Sequence, residues 1–238
     1  MNYEELNYRS ASTREVEVSA AFPALMRKVY LWMTLAMVIT GFTAYLVATN
    51  MSLLSLIYSS KVVMWGLIIV ELAIVFGVTA AINKLSLPVA TLLFILYSVI
   101  NGALLSSIFL IYTLSSISTV FFITAGTFGA MSLFGYTTKQ DLTSWGKILM
   151  MAVVGLIIAT IVNLFVKSSG LEMIVSYIGV LIFVGLTAYD TQKIKEMCLQ
   201  APDMGETMQK FALLGALSLY LDFINLFIYL LRIFGKRN

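Results

Sequence analysis

Seven stretches of this chain are each long and apolar enough to cross a lipid bilayer, and they leave little sequence over for anything else. A helix needs about 20 apolar residues to span the hydrocarbon. The stretches are 27–49, 62–82, 88–112, 117–137, 145–166, 172–190 and 211–232 of a 238-residue chain. Inside a bilayer the backbone must satisfy its own hydrogen bonds, so seven such runs predict an all-α bundle. Short connections predict antiparallel neighbours. The longest loop, 191–210, holds several charges and Pro202. Pro88 opens its helix, where the missing N–H costs nothing.

The remaining sequence is the polar lead of residues 1–26, with Glu4, Glu5, Arg9, Arg14, Glu15 and Glu17. It has no short apolar core with a cleavage site, so the run after Arg27 and Lys28 reads as an uncleaved first span. The expected organisation is a cytoplasmic tail over 1–26 and a membrane bundle over 27–238. With the N-terminus inside, ten basic residues fall on inner segments and five on outer ones: Lys61, Lys167, Arg232, Lys236 and Arg237. Positive-inside counting therefore favours a cytoplasmic N-terminus. Seven crossings then leave a basic C-terminus outside, which a re-entrant last segment would reverse. Full spans are the preferred reading.

Only 11% of residues are charged and the net charge is +3, which gives no surface for nucleic acid. There is no His, and Cys198 is the single cysteine, so disulfides, zinc sites and Ser–His–Asp catalysis are excluded. No phosphate loop, dinucleotide fingerprint or last-span Lys for a retinal Schiff base is present. Tyr189-Asp190 matches half of an intramembrane aspartyl protease pattern, but no glycine-flanked second acid follows. The chain is not expected to be an enzyme or to carry a resident cofactor.

Two acids stand out against this background. Asp222 lies inside the last apolar run, where a carboxylate costs roughly 2.5–3.5 kcal/mol on insertion scales. Asp190 closes the run before it. Gly215, Ser218, Asp222, Asn225 and Tyr229 step by three and four residues and so share one helix face, which should turn inward. If the two carboxyls meet, they cannot both ionise cheaply and would share a proton or hold a hard cation such as Ca²⁺. A purely structural pair, bonded across helices, is the competing reading. Glu71 is a third acid, midway along the second run, and can extend a cation path or anchor a helix. Lys84 follows that run and is either a membrane anchor or a partner for the acids. Asn101 and Asn163 are expected to hydrogen-bond between helices. Gly126, Gly129 and Gly135 with their small neighbours are expected to let helices approach closely.

Four strings carry a resemblance: "LSLYLDFINLFIYLLRIFG" (217–235), "YIGVLIFVGLTAYDTQKIK" (177–195), "GTFGAMSLFGYTTKQDLTSWGKIL" (126–149) and "RKVYLWMTLAMVITG" (27–41). Together they resemble the Bax inhibitor-1 family, over about residues 22–238. The short lead and compact loops look bacterial, which implies the inner membrane. The resemblance implies seven helices with the last enclosed by two layers of three. It implies that Asp190 and Asp222 form a di-aspartyl pH sensor of a Ca²⁺ leak, with possible Ca²⁺ binding at the pair. Glu71 matches an acid of the cation path, and Ser218 and Asn225 would support the site. Some members carry an Arg latch near the inner end of the second helix, where "AAINKLS" offers only Lys84, which cannot make a bidentate contact. Some bacterial relatives are thought to restrain a membrane-bound AAA protease, which gives an alternative function through residues 1–26 and loop 191–210.

Overall fold

The computed structural model describes the backbone of residues 3–200 and 205–238 and the side chains of residues 23–197 and 205–238. The helices are α1 (Tyr3–Thr49), α2 (Met51–Tyr58), α3 (Lys61–Ala81), α4 (Leu87–Leu105), α5 (Ile108–Ile111), α6 (Leu114–Thr137), α7 (Thr143–Val166), α8 (Ser169–Gln200) and α9 (Glu206–Phe234). Among the described residues, seven segments are long and apolar enough to cross a membrane: Pro23–Thr49, Lys61–Ala81, Leu87–Ile111, Leu114–Thr137, Thr143–Val166, Ser169–Met197 and Glu206–Phe234. These are the seven expected spans; the second and third are displaced by one residue, and the other five are extended at one or both ends. Side chains before Pro23 lie outside the described residues, although the α1 backbone is helical from Tyr3.

Burial orders the helices from edge to centre. The most apolar window of α7 is 6% buried inside the protein and that of α3 is 11%, whereas that of α9 is 67%. The outer helices therefore turn most of their Leu, Ile, Val and Phe toward lipid. α9 packs against α1, α4, α6 and α8 at once. Helices α1, α3 and α4 form one layer and α6, α7 and α8 the other, with α9 held between them. A helix surrounded by protein can carry polar groups that lipid would not tolerate, and this is where Asp222 sits.

Three local features depart from the expected pattern. The span expected to run unbroken over 88–112 is interrupted at Ser106 and Ser107, between α4 and α5. Tyr58 repairs the break: its hydroxyl donates to the Leu104 carbonyl at 2.8 Å and accepts from the Ser107 N–H at 3.2 Å. The connection 50–61 contains α2, started by Asn50, whose side chain accepts from the Ser52 and Leu53 amides. The expected loop 191–210 is largely helix: α8 continues to Gln200 and α9 begins at Glu206. The apolar run ends at Asp190, but Ile194 beyond it is buried against Gly215, and that contact carries the helix onward. Pro202 lies outside the described residues.

α9 is one unbroken helix of 29 residues, long and apolar enough to cross, without the break a re-entrant segment would need. Its end folds onto the α5–α6 turn. The Thr113 N–H donates to the Lys236 carbonyl at 3.0 Å, and the Asn238 N–H to the Ile111 carbonyl at 3.0 Å.

Candidate functional site: two polar systems on the central helix

Glycines set the register between α8 and α9. A methyl on Gly215 would meet Ile194 at 2.8 Å, and one on Gly179 would meet the Tyr229 ring at 2.6 Å. These two close approaches run the helices antiparallel and bring Asp190 to within about one helical turn of the position facing Asp222. The two acids thus lie on facing helices, on either side of the α8–α9 seam. Asp222 is 4% exposed, and its Oδ2 has no hydrogen-bond partner among the described residues. Asp190 is half-buried. An unpaired buried carboxylate oxygen is costly in a dry interior unless it carries or receives a proton, or meets a cation.

The rest of the α9 stripe faces the same seam, with Gly215 and Tyr229 at its two ends. Ser218 is half-buried on this face. Asn225 donates its amide to the Leu221 carbonyl at 2.8 Å on its own helix, which leaves its carbonyl oxygen pointing away from that bond. Lys84 is exposed on the turn after α3 and forms no ion pair with either acid among the described residues. It is therefore not part of the pair, because α3 lies in the outer rank of the opposite layer. Below Asp190, the Gln192 side chain clips the α6–α7 loop to α8: it accepts from the Leu142 N–H at 2.8 Å and donates to the Gln140 carbonyl at 2.8 Å.

A second polar system occupies the opposite side of α9. The Asn101 amide donates to Glu71, and the Tyr220 hydroxyl donates to the Asn101 carbonyl at 3.1 Å. Thr40 lies 2.6 Å from the Tyr220 hydroxyl and donates to the Ser98 carbonyl at 3.0 Å. The chain Glu71–Asn101–Tyr220–Thr40 thus ties α3, α4, α9 and α1 together. Tyr97 and Phe94 pack edge-on to Tyr220, with ring centroids at 5.7 and 6.2 Å. Glu71 sits in this network and not at the aspartate pair. Asn101 bonds between helices, as expected. Asn163 does not: it accepts from the Ser168 N–H at 3.0 Å and so closes its own helix end.

Tyr220 and Thr40 did not stand out in the sequence. Tyr220 is two residues from Asp222, hence on the opposite face and off the stripe that drew attention. A third hydroxyl chain, Tyr30–Ser132–Thr191, links α1, α6 and α8. The small-residue run of α6 divides: a methyl on Gly135 would meet the Ala188 carbonyl oxygen at 2.2 Å, while Gly126 and Gly129 have nothing within 4 Å. Only Gly135 makes the expected close approach.

A Ca²⁺ ion takes six to eight oxygen ligands. The seam offers two carboxyls, the Ser218 hydroxyl and the Asn225 carbonyl. No cluster of three or more acidic, His or Cys side chains occurs among the described residues. This donor set fits proton sharing or a passing cation better than a tight Ca²⁺ cage.

A family model described as inhibitor of apoptosis-promoting Bax1 matches residues 23–238, the whole bundle. The chain belongs to the Bax inhibitor-1 family. Its relatives in this family include the inner membrane protein YbhL of Escherichia coli K12, 50% identical over 94% of this chain and 96% of the relative. An uncharacterized protein of Borreliella burgdorferi is 45% identical over 90% of this chain and 92% of its own length. One from Rickettsia prowazekii is 44% identical over 90% and 89%. The Bax inhibitor-1 assignment and the seven spans make the chain an integral membrane protein.

Proposed function

We propose that this protein is a pH-sensitive Ca²⁺ leak of a bacterial inner membrane, gated where α8 meets α9 by Asp190 and Asp222. The observation that carries the reading is the unpartnered Oδ2 of Asp222 on the central helix, with Asp190 about one helical turn away along the facing helix α8. A proton shared by the two carboxyls joins the helices by a hydrogen bond. As pH rises the proton leaves, the bond is lost and two like charges remain on adjoining helices. That shifts the bundle toward a state in which the helices separate and a cation can take the place of the proton. Glu71 on the far side of α9 serves as a further acid of the path, and the protein performs no catalysis. The N-terminus is cytoplasmic, following the distribution of Lys and Arg.

The test is Ca²⁺ entry into dye-loaded liposomes carrying wild type, Asp190→Asn or Asp222→Asn. Each variant keeps a hydrogen-bonding group and cannot ionise, so each should flatten the pH dependence. Unchanged flux and unchanged pH dependence in both variants would sink the proposal.

A second reading, restraint of a membrane-bound protease, is favoured by one feature. The α1 helix starts at Tyr3, more than twenty residues before the apolar run that follows Lys28. At 1.5 Å per residue this is an arm of about 30 Å available to a partner. Deleting residues 1–22 separates the readings. A leak survives the deletion, and restraint of a protease does not.

A further inference from the structure

At the end of the bundle where α7 turns into α8, a cavity of about 410 Å³ is lined by Thr160, Asn163, Lys167, Ser168, Glu172 and Arg232, with Leu164 and Val175 as its apolar wall. Its charged residues are two cations and one acid. Glu172 faces Arg237 at 3.8 Å, so a third cation borders the site and offsets the acid. Arg232 is half-buried two residues from the end of α9, lies 5.5 Å from the Tyr229 ring centroid, and forms no ion pair among the described residues. A half-buried guanidinium without a carboxylate still presents a planar fork suited to a phosphate.

Lys167 adds an independent observation. It ends α7 at φ 53°, ψ 36°, and it is the only non-glycine residue with positive φ among those described. A helix end of this kind usually takes Gly, because a side chain there crowds the neighbouring carbonyl. The chain tolerates this strain and places a cation on the cavity rim. The hydroxyl of Ser168 and the free amide hydrogens of Asn163 add neutral donors.

We propose that this cavity binds a phosphate group at the bilayer surface, with Arg232 and Lys167 as the charged ligands and Asn163 and Ser168 as supporting donors. The turn 167–168 joins two spans and Arg232 nearly ends a third, so the cavity lies at headgroup level. Guanidinium and ammonium groups at that depth can pair with the phosphates of lipid headgroups. The site is independent of the acid pair and of the leak reading.

The experiment is thermal unfolding of the purified full chain in detergent, titrated separately with phosphatidylglycerol, phosphatidylcholine and inorganic phosphate. Three variants are compared with wild type: Arg232→Gln, Lys167→Gly, and Lys139→Gln as a control in the α6–α7 loop. Wild type and Lys139→Gln should gain stability with phosphatidylglycerol. Arg232→Gln should bind at least about tenfold more weakly, the worth of one charge-assisted hydrogen bond. Lys167→Gly should unfold at a higher temperature without lipid, because the strain is gone, yet lose the lipid response. A purely structural role for Lys167 would not separate those two readouts. An equal gain from inorganic phosphate alone upholds the site and assigns it to free phosphate. No gain with any of the three probes, or the same gain in Arg232→Gln and Lys167→Gly as in wild type, overturns the proposal.

Discussion

Tyr220 and Asp222 stand two residues apart on one helix and therefore point in opposite directions, each into a different polar system. Asp222 was legible from the sequence because a lone carboxylate in an apolar run is costly enough to stand out, whether its role is structural or functional. Its stripe neighbours Gly215 and Tyr229 were legible by helical spacing, and both face α8 as that spacing requires. Tyr220 was hidden, because a Tyr among Leu and Phe looks like packing until its hydroxyl is seen between Asn101 and Thr40. Of the two roles open to Lys84, the structure shows it exposed on the turn after α3, away from α8 in the other layer and from the stripe of α9 that faces it. The Glu71 network yields a residue-level prediction. Asn101→Ala removes the link between Glu71 and Tyr220 and leaves both polar groups short of a partner. It should cost about 1–2 kcal/mol, read as a lower unfolding temperature in detergent. Wild-type stability in this variant would mean that the network is incidental.

At the scale of elements, the spans were readable and their ends were not. Hydropathy marks where lipid ends, but a helix stops where its packing and caps run out, so α8 passes ten residues beyond Asp190 to Gln200. Close approach was also only half readable, since glycine spacing says nothing about which glycine meets a neighbour. Gly135→Ala should block the α6–α8 contact, because the obstacle is the Ala188 backbone, and folded yield should fall sharply. Gly126→Ala meets nothing within 4 Å and should be neutral or slightly stabilising. Equal behaviour of the two variants would contradict this packing. The start of α7 gives a pH prediction outside the membrane. The Asp141 carboxylate accepts from the Thr143 N–H at 2.8 Å. Bonds from the Thr143 side chain and backbone hold its pKa below the ordinary 3.8. A lowered value means that this contact stabilises the fold above the ordinary pKa and is lost as pH falls through the folded one. Hydrogen-exchange protection of the Thr143 amide should therefore drop on acidification below about 3.8. In Asp141→Asn, which keeps an acceptor oxygen but cannot titrate, it should not.

For the whole molecule, the arrangement of two three-helix layers around α9 explains how a membrane chain can keep acids at depth. The central helix meets four others and is sheltered from lipid, and it carries Asp222 toward one layer and Tyr220 toward the other. Any motion that parts α8 from α9 exposes the acid pair, while the Glu71–Asn101–Tyr220–Thr40 chain holds α9 to the first layer. Seven crossings followed from composition, because apolar runs of about 20 residues match the length a helix needs to cross lipid, about twice that of a barrel strand. The pairing of layers did not, since it depends on which small residues meet. The central claim is that the acid pair converts pH into conductance. Its most direct test is Ca²⁺ flux through purified protein in liposomes from pH 6 to 8, wild type against Asp222→Asn. The account predicts wild-type flux that rises with pH by about tenfold, the effect of roughly 1.4 kcal/mol on a two-state equilibrium, and a low, flat profile in the variant. Flux no greater than in empty liposomes at every pH, or an identical rise in Asp222→Asn, would contradict it.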